Sequence, residues 1–107
     1  MKIAIASTDG INVNEHFGKA KRFFIYTIAD NTMNLEETRP TDTLSVGERK
    51  HSFDPDKFSQ VLSVIKDCKK VIVTKVGEVP ASKLMENGIE PFIYTGPINE
   101  IPITSLQ

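Results

Sequence analysis

The sequence predicts one α/β domain built on a mixed five-stranded sheet. The chain of 107 residues is long enough for one hydrophobic core and too short for two. Short β-branched runs recur along it, and two segments with helical periodicity separate the later runs. The predicted element order is β-β-β-α-β-α-β, and residues 1–107 are interpreted as a single domain.

The first predicted strand is residues 1–6, a short apolar run that contains β-branched Ile3 and Ile5. The run is apolar on both faces and ends at the polar residues 7–10. This pattern is typical of a strand buried in the middle of a sheet.

The second and third predicted strands form an antiparallel hairpin. Residues 23–28 are rich in aromatic and β-branched side chains, and Asp30 and Asn31 follow them as a turn signal. Met33, Leu35, Glu37 and Arg39 then alternate with Asn34, Glu36 and Thr38 until Pro40. Such alternation predicts an exposed strand at the edge of the sheet.

Residues 41–53 carry no periodic apolar signal, and a connection of that length is usually functional or mobile. After it, Asp54 is suited to cap a helix and Pro55 to open its first turn. The apolar residues of this first helix form one stripe at helical spacing: Phe58, Val61, Leu62 and Ile65.

The fourth strand is the β-branched run 71–73, and the fifth is residues 92–94. Between them Pro80 opens a second helical pattern, and Gly88 stands where a left-handed C-terminal cap belongs. Residues 98–101 could form one helical turn, but Pro102 opposes its extension. The remaining tail is unassigned.

Right-handed crossovers around both helices make strands one, four and five parallel, with strand two antiparallel to strand one. A strand order of 3-2-1-4-5 satisfies these rules. The chain then leaves strands one and four in opposite directions, which opens a crevice at their carboxyl ends, the usual binding position in such a sheet. Residues 7–18 and 75–77 are expected to line this crevice.

Composition excludes several classes of protein. Thirteen Lys and Arg balance fourteen Asp and Glu, for a net charge of -1, which disfavours a general nucleic-acid binder. The single cysteine, Cys68, forms no internal disulfide and no cysteine-based zinc site, as expected in a reducing compartment. No apolar run approaches the length of a membrane span, which is about 18 residues. We therefore expect a cytoplasmic protein without a membrane partner.

The most informative stretch is residues 7–22, which contain His16, Gly18 and three cations, Lys19, Lys21 and Arg22. A neutral imidazole nitrogen can bind a transition metal, and nearby cations favour an anionic ligand. The alternative interpretation is a hairpin loop whose histidine hydrogen-bonds locally and whose cations are solvated.

Two further residues are weaker candidates for metal binding. His51 lies in the long connection and could approach His16 if that connection folds over the crevice; otherwise it is a solvated loop histidine. Cys68 could bind iron as a thiolate, whereas free cysteine usually acts as a small buried hydrophobe.

The end of the fourth strand supplies Lys75 and Gly77. Gly77 could be required for a positive φ or for close approach of a ligand, or it could belong to an ordinary turn. Glu78 follows it and would repel an anion at the start of the second helix, where Pro80 also removes one amide donor. Asp9 is expected to serve as a turn residue rather than as a catalytic acid.

Four segments together resemble the dinitrogenase iron-molybdenum cofactor biosynthesis family, which includes the NifX and NafY carriers and the C-terminal domain of NifB. They are MKIAIASTDG, EHFGKAKRFFIYTI, DCKKVIVTKVG and VPASKLMENGIEPFIY. The resemblance covers about residues 1–95, and its most specific element is the HFG that follows a strand and a Thr-Asp-Gly turn.

The resemblance implies a ribonuclease H-like three-layer fold and a carrier without turnover that binds an iron-sulfur or iron-molybdenum cofactor precursor. Its partners would be that metal-sulfur cluster and cofactor-assembly proteins. Carried over by position, His16 is the leading cluster ligand, and Phe17 and Gly18 shape its loop. The further candidate contacts are Asp9, Lys75 and Gly77.

The sequence departs from the family pattern at two positions. Glu78 stands where members often carry a second glycine, and it places a negative charge beside the crevice. Pro102 interrupts the region where members usually end in a full helix.

The sequence lacks the residues that the common classes of enzyme require. A ribonuclease H-like nuclease needs several carboxylates around divalent metal, one of them in the first strand, but neither strand one nor strand four contains an acid. No common hydrolase, phosphate-loop or zinc-protease motif is present.

With one cysteine, a bound cluster cannot be held by four thiolates, and we expect one or two residues such as His16 to hold it. The alternative is a regulatory or scaffold domain that binds a protein or a small anion.

Overall fold

The computed structural model describes residues 1–41 and 54–107. The prediction of a functional loop at 41–53, including His51, therefore lies outside the described residues apart from its first position. Seven strands and three α-helices are present in the described ranges: β1 Lys2–Ala6, β2 Asn12–Val13, β3 Arg22–Ala29, β4 Thr32–Pro40, α1 Pro55–Ile65, β5 Lys70–Val73, α2 Glu78–Glu86, β6 Glu90–Ile93, β7 Gly96–Pro97 and α3 Ile103–Leu106.

The main sheet contains five strands in the order β4-β3-β1-β5-β6. β1 pairs antiparallel with β3 and parallel with β5, and β5 pairs parallel with β6. The α/β class and the mixed five-stranded sheet are thus confirmed, while the ribonuclease H-like label stays a prediction. A separate antiparallel pair, β2 with β7, was not predicted, because two-residue strands are too short to show periodicity.

β1 is buried on both faces, as its apolar run predicted. Ile3 and Ile5 face one core cluster, and Ala4 and Ala6 face the other. The small alanines lie on the face covered by α1 and α2. The opposite face is covered by β2, by a 3-10 turn at Ile98–Glu100 and by α3, which contribute Val13, Ile98 and Leu106. These coverings place the sheet between two layers, the second of them built mainly from short segments.

The β3–β4 hairpin turns at Asp30 and Asn31, which both have positive φ, 53° and 60°. This is the backbone of a type I′ turn, whose twist matches that of the flanking strands. β4 lies at the sheet edge and is mostly exposed, and a register shift interrupts its pairing between Ile25 and Tyr26.

The helix boundaries follow local chemistry. The Asp54 side chain caps α1 by accepting from the amides of Asp56 and Lys57. α2 starts at Glu78 rather than at Pro80, because the first turn of a helix needs no intrahelical amide donors and therefore accepts proline at its third position. Gly88 has φ 78° after this helix, as predicted.

Arg39 ties the exposed strand β4 to the end of α1. Its guanidinium donates to both Asp67 carboxylate oxygens, at 2.7 and 3.0 Å, and to the Val64 carbonyl at 2.8 Å. A further bond of 2.8 Å reaches Glu37. The guanidinium of Arg39 holds the pKa of Asp67 well below its usual range. In the described ranges, no helix has the length and apolar character needed to cross a membrane.

Candidate functional site

The loop after β1 and the turn after β5 meet at the carboxyl ends of these strands. The Thr74 amide donates to the Glu15 carbonyl at 3.1 Å, and the Phe17 amide donates to the Lys75 carbonyl at 2.9 Å. The two segments expected to line one crevice are therefore joined directly by backbone hydrogen bonds. His16 lies between the two bonded positions, so its backbone is fixed on both sides.

His16 is exposed and precedes a 3-10 turn at Phe17–Lys19. Its backbone is extended, and its amide donates to the Glu15 carboxylate at 3.0 Å. Its imidazole has no hydrogen-bond partner among residues 1–41 and 54–107. Both ring nitrogens therefore remain available to an external ligand.

Phe17 points the opposite way and belongs to the core. Its side chain is 1% exposed, and its ring lies 6.1 Å from that of Phe23 and 6.3 Å from that of Phe58, centroid to centroid. It thus shapes the His16 loop from beneath, and its ring does not line the surface. Gly18 is half-buried in the turn and is not among the described glycines with positive φ.

Four exposed cations lie at this edge of the sheet. Lys19 follows His16 by three residues, a spacing at which side chains in a 3-10 turn share a face. Lys21 and Arg22 lie at the start of β3, beside the end of β1, and Lys75 follows β5. None of the four makes an ion pair within the described ranges, whereas Lys2, Arg39, Lys70 and Lys83 each pair with a carboxylate elsewhere.

Asp9 is a structural turn residue in this loop. Its Oδ1 accepts from the amides of Asn12 at 3.0 Å and Ile11 at 2.9 Å, which lower its pKa to about 2. The Ser7 hydroxyl also donates to this oxygen at 3.1 Å. These bonds engage the carboxylate with its own loop, and they fix the shape of the segment that leads to His16.

Lys75 presents an exposed side chain while its carbonyl accepts from Phe17. Gly77 has φ -70°, which excludes the alternative that it is required for a positive φ; it occupies an extended N-cap position that other residues can adopt. A Cβ there would lie 3.5 Å from Pro80 Cδ, an ordinary contact. The following Glu78 is exposed, and its negative charge would repel an anion at this edge.

Cys68 lies away from His16. It precedes β5, whereas His16 lies beside the residues that follow β5, so the length of the strand separates them. Its side chain is 2% exposed, and burial, with the neighbouring Asp67 charge, raises its pKa to about 11. The structure therefore does not bring Cys68 to the His16 edge, and a buried protonated thiol is a poor metal ligand.

Across residues 1–41 and 54–107, no three His, Cys, Asp or Glu side chains converge to hold a metal ion. The groups exposed at this edge thus include the His16 imidazole and several cations. These groups suit an anionic ligand that is held loosely.

Thr74 was missed by the sequence analysis. Its amide donates to the Glu15 carbonyl, and its buried hydroxyl oxygen has no hydrogen-bond partner within residues 1–41 and 54–107. The available signal was its position directly after the apolar run 71–73, where a strand ends and binding residues of α/β sheets concentrate.

Comparison with known proteins identifies related chains. The family model described as dinitrogenase iron-molybdenum cofactor matches residues 1–102. The FeMo cofactor biosynthesis protein NifB of Frankia alni is 34% identical over 89 residues, covering 83% of this chain and 18% of that protein. The protein NifX of Herbaspirillum seropedicae is 30% identical over 91 residues, covering 85% of this chain and 60% of that protein. The chain therefore spans about a fifth of the NifB relative and under two thirds of NifX.

Two solved structures share the fold. The crystal structure of PH0822 superposes with a TM-score of 0.69 at 23% identity, covering 99% of this chain and 89% of that one. The NMR structure of a Thermotoga protein of the DUF35 family gives a TM-score of 0.59 at 21% identity, covering 92% and 81%. At these identities the likeness concerns the fold alone.

Proposed function

The chain belongs to the dinitrogenase iron-molybdenum cofactor family, and from this premise we propose that it is a non-catalytic carrier in iron-molybdenum cofactor assembly. Its cargo is an anionic metal-sulfur cluster precursor, which binds at the edge around His16. Its partners are the assembly proteins that deliver and receive this cluster.

The observation that carries the proposal is the exposed imidazole of His16, which has no hydrogen-bond partner in the part of the chain that the structure describes and lies on a loop that is fixed on both sides. A neutral imidazole nitrogen is a good ligand for iron. Because the hydrogen bonds at Glu15 and Phe17 already fix the backbone, binding requires little ordering of the loop. The ligand is therefore presented before the cargo arrives.

Unpaired cations supply the second part of the binding energy. Lys19 lies on the same turn as His16, and Lys75 accepts the Phe17 amide through its carbonyl. Both charges face solvent without an internal carboxylate partner in the described ranges. An anionic cluster would therefore gain electrostatic attraction without first breaking an ion pair. Glu78 reduces this attraction.

Release of the cluster follows from the same groups, the His16 imidazole and the exposed cations. A cluster held by four cysteines stays with its protein, whereas one imidazole and solvated cations form exchangeable contacts. The carboxylate of Asp9 is engaged by loop amides, and the described residues gather no carboxylate cluster. This arrangement supports binding and release rather than hydrolysis.

The experiment is an anaerobic titration with isolated iron-molybdenum cofactor, followed by optical and EPR spectra. We expect the wild-type protein to bind the cofactor and His16→Ala to lose most of the binding while its thermal unfolding is unchanged. Cys68→Ala is the control, because Cys68 is the other candidate ligand in the described ranges and lies away from His16, and it should bind as the wild type does. Wild-type affinity in His16→Ala would remove His16 from the site, and a wild-type protein that binds no cluster would favour the regulatory or scaffold alternative.

A further inference from the structure

The residue next to His16 has the opposite environment. His16 is exposed, whereas the Phe17 side chain is 1% exposed and packs among aromatic rings. Its two ring neighbours come from different elements, Phe23 from β3 and Phe58 from the first turns of α1. Phe17 therefore links the His16 loop to both the sheet and the helix that covers it.

Backbone and side chain of Phe17 act on the same point. Its amide donates to the Lys75 carbonyl at 2.9 Å, and its carbonyl accepts from Ala20 at 3.4 Å, which closes the 3-10 turn. The His16 carbonyl accepts from Lys19 at 3.1 Å in the same turn. Fixing the Phe17 ring therefore fixes the direction in which both His16 and Lys19 leave the turn.

We propose that Phe17 is a positioning residue: through the aromatic cluster Phe17–Phe23–Phe58 it fixes the backbone from which the His16 imidazole reaches the cargo. This inference rests on the proposed function, because it gives the buried ring a role in cargo affinity beyond stability. A side chain that fills the space without the planar ring contacts would keep the fold but allow the turn to rotate. The imidazole would then sample several directions, and binding would have to restrict it.

The test uses Phe17→Leu, which retains an apolar side chain, and Phe58→Leu, which loosens the ring cluster while keeping Phe17. Phe92→Leu is the matched control, since Phe92 is partly buried and packs against the core cluster on the other face of the sheet. The first measurement is NMR relaxation of the His16 ring in the cargo-free protein. We expect increased ring mobility in Phe17→Leu, a smaller increase in Phe58→Leu, and none in Phe92→Leu at comparable loss of thermal stability.

The second measurement is the affinity for isolated iron-molybdenum cofactor together with the imidazole nitrogen coupling in pulsed EPR. Loss of an orienting partner of a metal ligand typically lowers affinity by about 10- to 100-fold, and we expect Phe17→Leu to lose about tenfold with a broadened nitrogen coupling. Unchanged ring mobility and unchanged coupling in Phe17→Leu would overturn the positioning role. That result is distinct from unchanged affinity in His16→Ala, which would overturn the proposed function itself.

Discussion

The Phe17 amide donates a hydrogen bond of 2.9 Å to the carbonyl of Lys75, so the loop after β1 lies directly on the end of β5. A parallel bond from Thr74 to Glu15 is 3.1 Å long. These two hydrogen bonds bridge the crevice that was expected to be open between the loop and the end of β5. The exposed groups on this edge of the sheet, His16 and Lys75 among them, thus belong to one connected surface.

A side chain at Gly10 would disturb the loop after β1. Gly10 has φ 74°, and a Cβ there would lie 2.9 Å from the Phe24 ring. Gly88 has a similar φ of 78°, but a Cβ there meets nothing within 4 Å. We expect Gly88→Ala to cost about 1 kcal/mol from backbone strain alone, and Gly10→Ala about 2 to 3 kcal/mol because Phe24 must also move. Urea unfolding of both variants measures the difference, and equal losses would refute the ring contact.

The Arg39–Asp67 pair should make stability depend on pH in acid. The Arg39 hydrogen bonds keep the pKa of Asp67 below its usual range, so the folded state favours the ionised carboxylate. This contribution is complete above the unfolded pKa of about 3.9 and is lost as pH falls toward the lower folded pKa. Because the Asp67 side chain is 43% exposed, we expect Asp67→Asn to cost only about 1 kcal/mol at pH 7.

The measurement is the free energy of unfolding of Asp67→Asn and wild type in urea between pH 7 and pH 2. The difference between the two proteins should shrink below about pH 4. Glu86→Gln is the control, since its pair with Lys83 is 3.8 Å long and exposed and should contribute almost nothing. A difference that stays constant down to pH 2 would contradict the role of Asp67.

Cys68 should be chemically inert in the folded protein. Burial raises its pKa to about 11, so the thiol is protonated at pH 8 and cannot act as the reactive thiolate. We expect a thiol reagent at pH 8 to modify Cys68 far more slowly than free cysteine, and to modify it fully after unfolding in urea. Cys68→Ala should bind isolated iron-molybdenum cofactor as the wild type does. Rapid labelling of the folded protein, or loss of binding in the alanine variant with its fold intact, would return Cys68 to the site.

The exposed cations near His16, which form no ion pair among the described residues, should make cargo binding sensitive to salt. Lys19→Gln and Lys75→Gln each remove one exposed charge from the His16 edge, and each should weaken binding of isolated iron-molybdenum cofactor about 2- to 5-fold at low ionic strength. The loss should diminish as salt screens the charges. Lys69→Gln is the matched control because Lys69 is exposed and precedes β5 at the opposite edge. Equal effects of all three variants would show that only net charge matters.

Local signals in the sequence predicted most of the elements of the fold. Asp54 caps α1, Asp30 and Asn31 form the hairpin turn, and Gly88 ends α2 in a left-handed conformation. Each depends on the conformational preference of one or two residues, which the sequence displays directly. The start of α2 was placed two residues late, because proline is accepted throughout the first turn and does not mark its first residue.

The candidate site was predicted less completely. His16 and Lys75 were named as candidates, and the structure places their segments in direct contact. Thr74 was missed, and Phe17 was predicted to shape the His16 loop with no indication that its ring is buried. The sequence does not show whether the ring of a phenylalanine beside an exposed histidine packs inward or outward. Only its contacts with Phe23 and Phe58, from distant parts of the chain, decide between the two.

The sequence by itself determined the class of fold, the hairpin, the helix caps and the histidine-bearing loop, because periodicity and turn chemistry act between neighbouring residues. The tertiary structure decided which carboxyl-end groups share a surface. It placed His16 beside the end of β5 and left Cys68 before the start of that strand. The reason is physical: the backbone bonds of Glu15 and Phe17 join segments far apart in the chain, and no local preference specifies such a bond until the sheet has brought them together.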